Sequence, residues 1–284
     1  MGELGRKFRQ QMVLRGFAEA TKESYEGAMV DLVRSYGGVS PDLLSCGQVR
    51  DHMERLITER HLAWSTVNVH ACAFRFFYGQ VLGRGDTFSL PPRGRPHTRP
   101  TVLDRESVRM VLSAHRNIKY RALLAMVYGS GLRVGEACRL KPGDIESAPD
   151  RMLVRVEQGK GHKDRYTLLS RGALALLRDY WRRCRPDGWL FFGADRGEPM
   201  SVKTAQYAYW SACRKACISR ERAHGIHTLR HSFATHLMED GVALPVIQRL
   251  LGHGSLKTTS VYCHVSRAHL LGVRSPADTL AASL

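Results

Sequence analysis

Apolar residues recur at helical intervals through the first eighty or so positions of the chain. Phe8 and Met12 stand four apart, and Tyr25, Met29, Leu32 and Val33 repeat the spacing. Val49, Met53, Leu56 and Ile57 continue it, and Val67, Phe74, Phe77 and Val81 form a last stripe after Ser65. The pattern predicts a small bundle of about four helices, with Thr21 as the cap of the helix that holds Tyr25. Residues 83–100, GRGDTFSLPPRGRPHTRP, break the rhythm with four prolines, three glycines and four arginines against one acid. This reads as a basic, irregular linker able to track a phosphate backbone. From Thr101 the helical spacing returns, with one helix opening at Ser107 and another over Arg121–Tyr128. Residues 152–157, MLVRVE, alternate as a strand does; GKGHKD reads as a turn and RYTLL as a returning strand. After Arg171 the pattern is mainly helical again. The expectation is a mostly α protein with a small β-sheet, divided into a helical unit over 1–84, a linker over 85–100, and a second unit over 101–284 that ends in a tail.

Charge narrows the picture. The 284 residues carry a net charge of +17, with arginine well ahead of lysine. Such an excess points to a polyanionic partner, nucleic acid first of all. Arginine suits phosphate because its planar fork donates in pairs, although base composition of the genome also shifts the Arg/Lys ratio. Seven cysteines in no regular spacing fit a reducing compartment better than a disulfide framework. Cys213 and Cys217 share a helical spacing, but no second pair completes a zinc site. No metal and no cofactor are expected. The sequence MGELGRKFRQQ lacks a signal-peptide core, and no apolar run reaches the length of a membrane span, so a cytoplasmic, nucleoid-associated location is expected.

Four short patterns carry candidate chemistry. Arg133 lies in GLRVGE, at the start of a helix whose N–H groups favour an anion. Lys160 and Lys163 sit in the GKGHKD turn, where glycines allow a mobile tip. His227 and Arg230 stand three apart in HTLRH, beside the apolar stripe Leu229, Phe233 and Leu237. His253 follows LLG, with Pro245 suited to a helix start and Gly252 to its end, and Tyr262 comes nine residues after His253. Singly, each has an ordinary reading: a surface arginine, a solvated turn lysine, a core or surface tyrosine. His227 and His231 at i, i+4 also resemble half a metal site, but no third ligand or catalytic acid stands at a matching distance. Together the patterns supply two arginines, two histidines and a lysine to neutralise a phosphorane, and a tyrosine nucleophile.

The order Arg133, Lys160, His227-x-x-Arg230, His253, Tyr262 resembles the tyrosine recombinase (phage integrase) family, and its wording is similar to Xer-like recombinases and mobile-element integrases. The likeness extends to the words GLRVGEACRL, GKGHKDRYTLL, HTLRHSFATHL and LLGHGSLKTTSVYCHV and covers residues 101–265 closely. It covers the first unit more loosely. One departure is Cys263 before His264, where relatives often have threonine.

The resemblance implies a SAM-like, core-binding helical domain joined to an α+β catalytic domain, the two clamping duplex DNA. It implies attack by Tyr262 on a DNA phosphate, giving a 3′-phosphotyrosyl link and a free 5′-hydroxyl. Arg133, Arg230 and His253 would hold the phosphate, and Lys160 would protonate the leaving oxygen with Lys163 as the alternative. His227 would support proton transfer or phosphate contact. Glu136 is either a brace for the site or a solvated helix glutamate. Thr66, Asn68, Arg75, Arg93, Arg95 and Lys163 are the further candidate DNA contacts. The implied partners are double-stranded recombination sites and three further copies of the chain, a tetramer on two sites. The tail from His264 to Leu284 packs either on a neighbouring copy or on its own domain. Two other readings stay open at this point: a type IB topoisomerase-like relaxing enzyme and a non-catalytic DNA-binding regulator.

Overall fold

A computed structural model describes residues 2–84, 100–157, 164–253, 255 and 259. The chain divides into two compact units, residues 1–97 and 98–284. Its make-up is mostly helical with one small sheet, as the apolar pattern predicts.

Among the described residues the first unit holds four α-helices: α1 (Glu3–Leu14), α2 (Glu19–Ser35), α3 (Cys46–Thr58) and α4 (Trp64–Phe76). The last runs on into a π-helical turn, Phe77–Val81. Phe8, Met12, Leu32, Val49, Phe74 and Phe77 converge in its core. Thr21 is not the cap of α2. That helix starts two residues earlier, at Glu19 after Ala18, and Thr21 falls in its first turn. The carboxylate of Glu19 serves the helix start instead, paired with Lys22 at 2.6 Å, at the end where the helix dipole favours a negative charge. A true side-chain cap opens α3, where Ser45 and Gln48 exchange backbone-to-side-chain hydrogen bonds at 3.2 and 2.9 Å.

The second unit is built on α6 (Ile118–Gly129), whose residues 122–127 are all buried. A helix apolar on every side must run through the middle of its domain. Around it lie α5 (Arg105–Ser113), the short α7 (Val134–Cys138), α8 (Arg171–Cys184), α9 (Val202–Lys215), α10 (His227–Glu239) and α11 (Leu244–Leu251). α5 is capped by Asp104, which accepts from the Ser107 N–H at 2.7 Å, so the helix begins before Ser107. The sheet is antiparallel in the order β1 (Ile145–Ala148), β2 (Arg151–Val156), β3 (Arg165–Leu168). Val154 pairs with Thr167, and Val154 and Val156 turn into the core. Among the described residues no helix is long and apolar enough to cross a membrane.

Candidate active site

Arg133 is the residue that leads into α7, and its position is set by the turn after α6. That turn needs Gly131. Its φ is +60°, and a Cβ there would lie 2.4 Å from the Phe233 ring. The close approach brings the turn against α10, which carries Arg230. His227 is the first residue of α10 and is exposed, whereas Arg230, one turn on, is buried.

Arg230 is held by backbone oxygens. One guanidinium nitrogen donates to the Gly131 carbonyl at 2.5 Å, and the other to the Leu251 carbonyl at 2.6 Å. The second nitrogen also meets His253 Nε2 at 3.1 Å. Since a guanidinium can only donate, Nε2 accepts, and the imidazole proton belongs on Nδ1, which meets the Thr259 hydroxyl at 2.9 Å. Burial, then the charges of Arg230, Arg133 and Arg165, push the His253 pKa down to about 4, in keeping with that neutral tautomer.

Glu136 is the anionic centre of the cluster. Its carboxylate accepts from the Arg133 backbone N–H at 2.8 Å and from the Arg133 side chain at 2.7 Å. Arg165, the first residue of β3, donates to both carboxylate oxygens, at 2.9 and 2.8 Å. Arg230 stands 3.8 Å from the same carboxylate. Burial works to raise the Glu136 pKa, but Arg165 first and Arg133 next outweigh it and hold the group at about 2. Glu136 is therefore a fixed carboxylate between arginines.

The C-terminal end of α11 completes the site. Helix ends leave their last carbonyls without intrahelical partners and carry partial negative charge. Here the Leu250, Leu251 and Gly252 carbonyls accept from Arg165, Arg230 and Arg133 respectively, at 3.1, 2.6 and 3.3 Å. Gly252 ends the helix with φ +62°, as its place after LLG predicts. Three guanidinium groups thus meet one carboxylate and one helix end. The excess positive charge favours a doubly charged oxyanion over a neutral ligand.

The structure brings Arg133, Arg230, His253 and Glu136 together, with His227 at the start of the helix that carries Arg230. Lys160, Lys163, Tyr262, Arg93 and Arg95 lie outside the described residues. Thr66, Asn68 and Arg75 are all on α4, but nine residues are two and a half helical turns, so Thr66 and Arg75 project from opposite sides. Thr66 instead lines a cleft of about 650 Å³ with Arg34 and Arg60. Arg165 is the residue that sequence reasoning missed. Its only signal was an arginine directly after the GKGHKD turn. Among the described residues no group of three or more His, Cys, Asp or Glu side chains is placed to hold a metal ion.

Comparison with known proteins places the chain in a family. The family model described as "Phage integrase family" matches residues 101–269, and "Phage integrase, N-terminal SAM-like domain" matches residues 4–85. The chain belongs to the phage integrase family. It is 38% identical to an integrase/recombinase of Sinorhizobium fredii, over 99% of this chain and 90% of that protein. It is 38% identical to tyrosine recombinase XerA of Pyrococcus furiosus, over 62% of this chain and 61% of the relative. Among solved structures, the XerH site-specific recombinase bound to a palindromic difH substrate superposes with a TM-score of 0.72 at 20% identity, covering 90% of this chain and 79% of that one. A lambda integrase dimer on a core site gives the same TM-score, 0.72, at 17% identity, covering 92% and 94%. At these identities the structural matches speak for the fold. The family catalyses DNA cleavage and rejoining, and the matches support site-specific recombination rather than relaxation alone or regulation without catalysis.

Proposed function

We propose that residues 101–284 cut and reseal duplex DNA at specific sites through Tyr262, and that residues 1–84 bind the DNA beside the cut. The tyrosine oxygen attacks phosphorus while the bond to the 5′ oxygen breaks, giving a 3′-phosphotyrosyl ester and a 5′-hydroxyl. The ester keeps the energy of the broken bond, so rejoining needs no ATP. Arg133, Arg230 and His253 bind the non-bridging oxygens as charge builds on them. Lys160 delivers the proton to the departing 5′ oxygen, with Lys163 on the DNA backbone as the alternative donor. His227, exposed at the head of α10, assists proton transfer or touches the phosphate. Glu136 braces Arg133.

The observation that carries this reading is the convergence of Arg133, Arg230 and His253, three residues far apart in sequence, on the single helix end at Leu251–Gly252. A phosphate that enters there competes with His253 Nε2 for Arg230, and frees the imidazole to take up a proton and donate. Thr66, Asn68, Arg75, Arg93 and Arg95 contact the flanking DNA, and four copies act on two sites within the nucleoid. The test is to trap denaturant-resistant protein–DNA adducts in the host cells and sequence the attached strands. Recombination predicts adducts at discrete, related sites, two of which exchange strands when placed on one plasmid. Adducts scattered without site, with loss of supercoils as the only product, would contradict it.

A further inference from the structure

Arg165 stands apart from the residues of the proposed reaction, yet three hydrogen bonds tie it into the site. Its two terminal nitrogens hold both oxygens of Glu136, and its Nε donates to the Leu250 carbonyl at 3.1 Å. Only about a tenth of its side chain is exposed. Gly252 packs against its stem so closely that a Cβ there would come within 2.7 Å of Arg165 Cδ. The side chain cannot swing aside to make room, because its guanidinium is fixed at both ends. A buried arginine and a glycine thus fit each other at the point where α11 ends and His253 begins.

The charge pattern indicates what this achieves. Glu136 is a single carboxylate among three guanidinium groups. Carboxylates prefer paired, fork-to-fork bonds with arginine. Arg165 takes that paired geometry, so Arg133 gains only one side-chain bond to Glu136, and Arg230 stays 3.8 Å away. Without Arg165, the carboxylate is free to pair with one of the other two and draw its fork away from a phosphate.

We propose that Arg165 is a positioning residue for DNA cleavage, which occupies Glu136 and the α11 end so that the Arg133 and Arg230 forks stay directed at the scissile phosphate. Arg165 is also the first residue of β3, the strand that directly follows the segment with Lys160 and Lys163 in the sequence, so the same contact fixes the start of that strand beside the phosphate-binding arginines. The inference rests on the proposed role of Glu136 and deepens it.

The test uses the full chain and a nicked duplex that carries the site recovered by adduct sequencing. Single-turnover adduct formation is measured at saturating DNA for R165Q, R165K, E136Q and the double variant E136Q/R165Q. R165Q should slow adduct formation by about 10²-fold, the scale of a small misplacement of reacting groups, with DNA affinity unchanged. R165K should restore only part of the rate, because an ammonium cannot hold both carboxylate oxygens and the Leu250 carbonyl at once. The double variant should be no slower than the slower single variant, since both act through one contact. A wild-type rate in R165Q, a loss confined to DNA affinity, or fully additive losses would overturn the inference. If R165Q does not fold, R165K decides: a full rate overturns the proposal, and a reduced rate with native thermal stability supports it. Arg133→Ala separates the two layers. If it is inactive while R165Q is normal, only the present inference falls; if it cleaves normally, the reading of the site itself falls.

Discussion

Arg230 is a charged side chain in a place where charge is costly. Burial of a guanidinium is offset only by hydrogen bonds that replace water, and the Gly131 and Leu251 carbonyls provide them. The same bonds fix the fork before substrate arrives, which is what stabilisation of a developing oxyanion requires. Arg133→Ala and Arg230→Ala should each lower the adduct-forming rate by roughly 10²–10³, the effect of one lost transition-state donor. Lysine at either position should fall well short of full recovery. Near-normal rates for both alanine variants, read by single-turnover cleavage, would remove the arginines from the chemistry. Much of this scale was legible: His227-x-x-Arg230 reads directly as one helical turn, and Gly252 as a helix end. Arg165 was not, because a lone arginine has no sequence mark among 43 basic residues. Nor was the Thr259 hydroxyl beside His253, a contact that depends on the path of the chain after α11.

At the scale of elements, the site is a junction of two helix starts, one helix end and one strand. α11 supplies carbonyls, α7 and α10 supply arginines, and β3 ties them together. The strand β1 escaped sequence reading because all four of its residues are half-buried, so no alternation marks it. α10 was legible as a helix, yet its burial was hidden. Thr228, Arg230, Ser232, Thr235 and His236 are all buried along with the apolar stripe: Ser232 donates to the Thr228 carbonyl, His236 meets the Tyr128 hydroxyl and Arg230 donates to backbone carbonyls, whereas the Thr235 hydroxyl has no hydrogen-bond partner among the described residues. The segment between β2 and β3 carries both candidate acids, and a sulfur substrate separates them. If Lys160 protonates the leaving 5′ oxygen, Lys160→Ala should stall on an ordinary duplex and regain near wild-type cleavage with a 5′-bridging sulfur, which leaves readily as a thiolate. Arg230→Ala should gain no such rescue, because it stabilises charge and donates no proton. Rescue of Lys163→Ala in its place would move the acid three residues along the segment.

Across the whole molecule, buried histidines tie stability to pH in both units. Burial, with neighbouring positive charge, lowers His52 in the first unit and His231 and His253 in the second to about 4. Unfolded, these groups titrate near 6.5. Between those values the unfolded chain binds more protons than the folded one, so stability falls as pH drops from about 6.5 to 4 and is undiminished above that window. Glu136 acts in the same sense lower down: held at about 2, it stabilises above its ordinary range and loses that contribution as pH falls toward 2. The thermal midpoint should therefore decline steadily from pH 7 to 4, and a flat profile over that range would contradict the buried, neutral histidines. At this scale the mostly helical make-up and the polyanionic partner were legible from the helical stripes and the net charge of +17.

The central claim is that Tyr262 becomes covalently joined to DNA. The most direct measurement is to quench a reaction with the nicked site in denaturant, digest the product, and identify the peptide that carries the nucleotide. The wild-type chain should yield a 3′-phosphotyrosyl nucleotide on Tyr262, and Tyr262→Phe should bind the same DNA with unchanged affinity and yield no adduct. An adduct that persists in the Phe variant, or one that maps to another residue, would contradict the account.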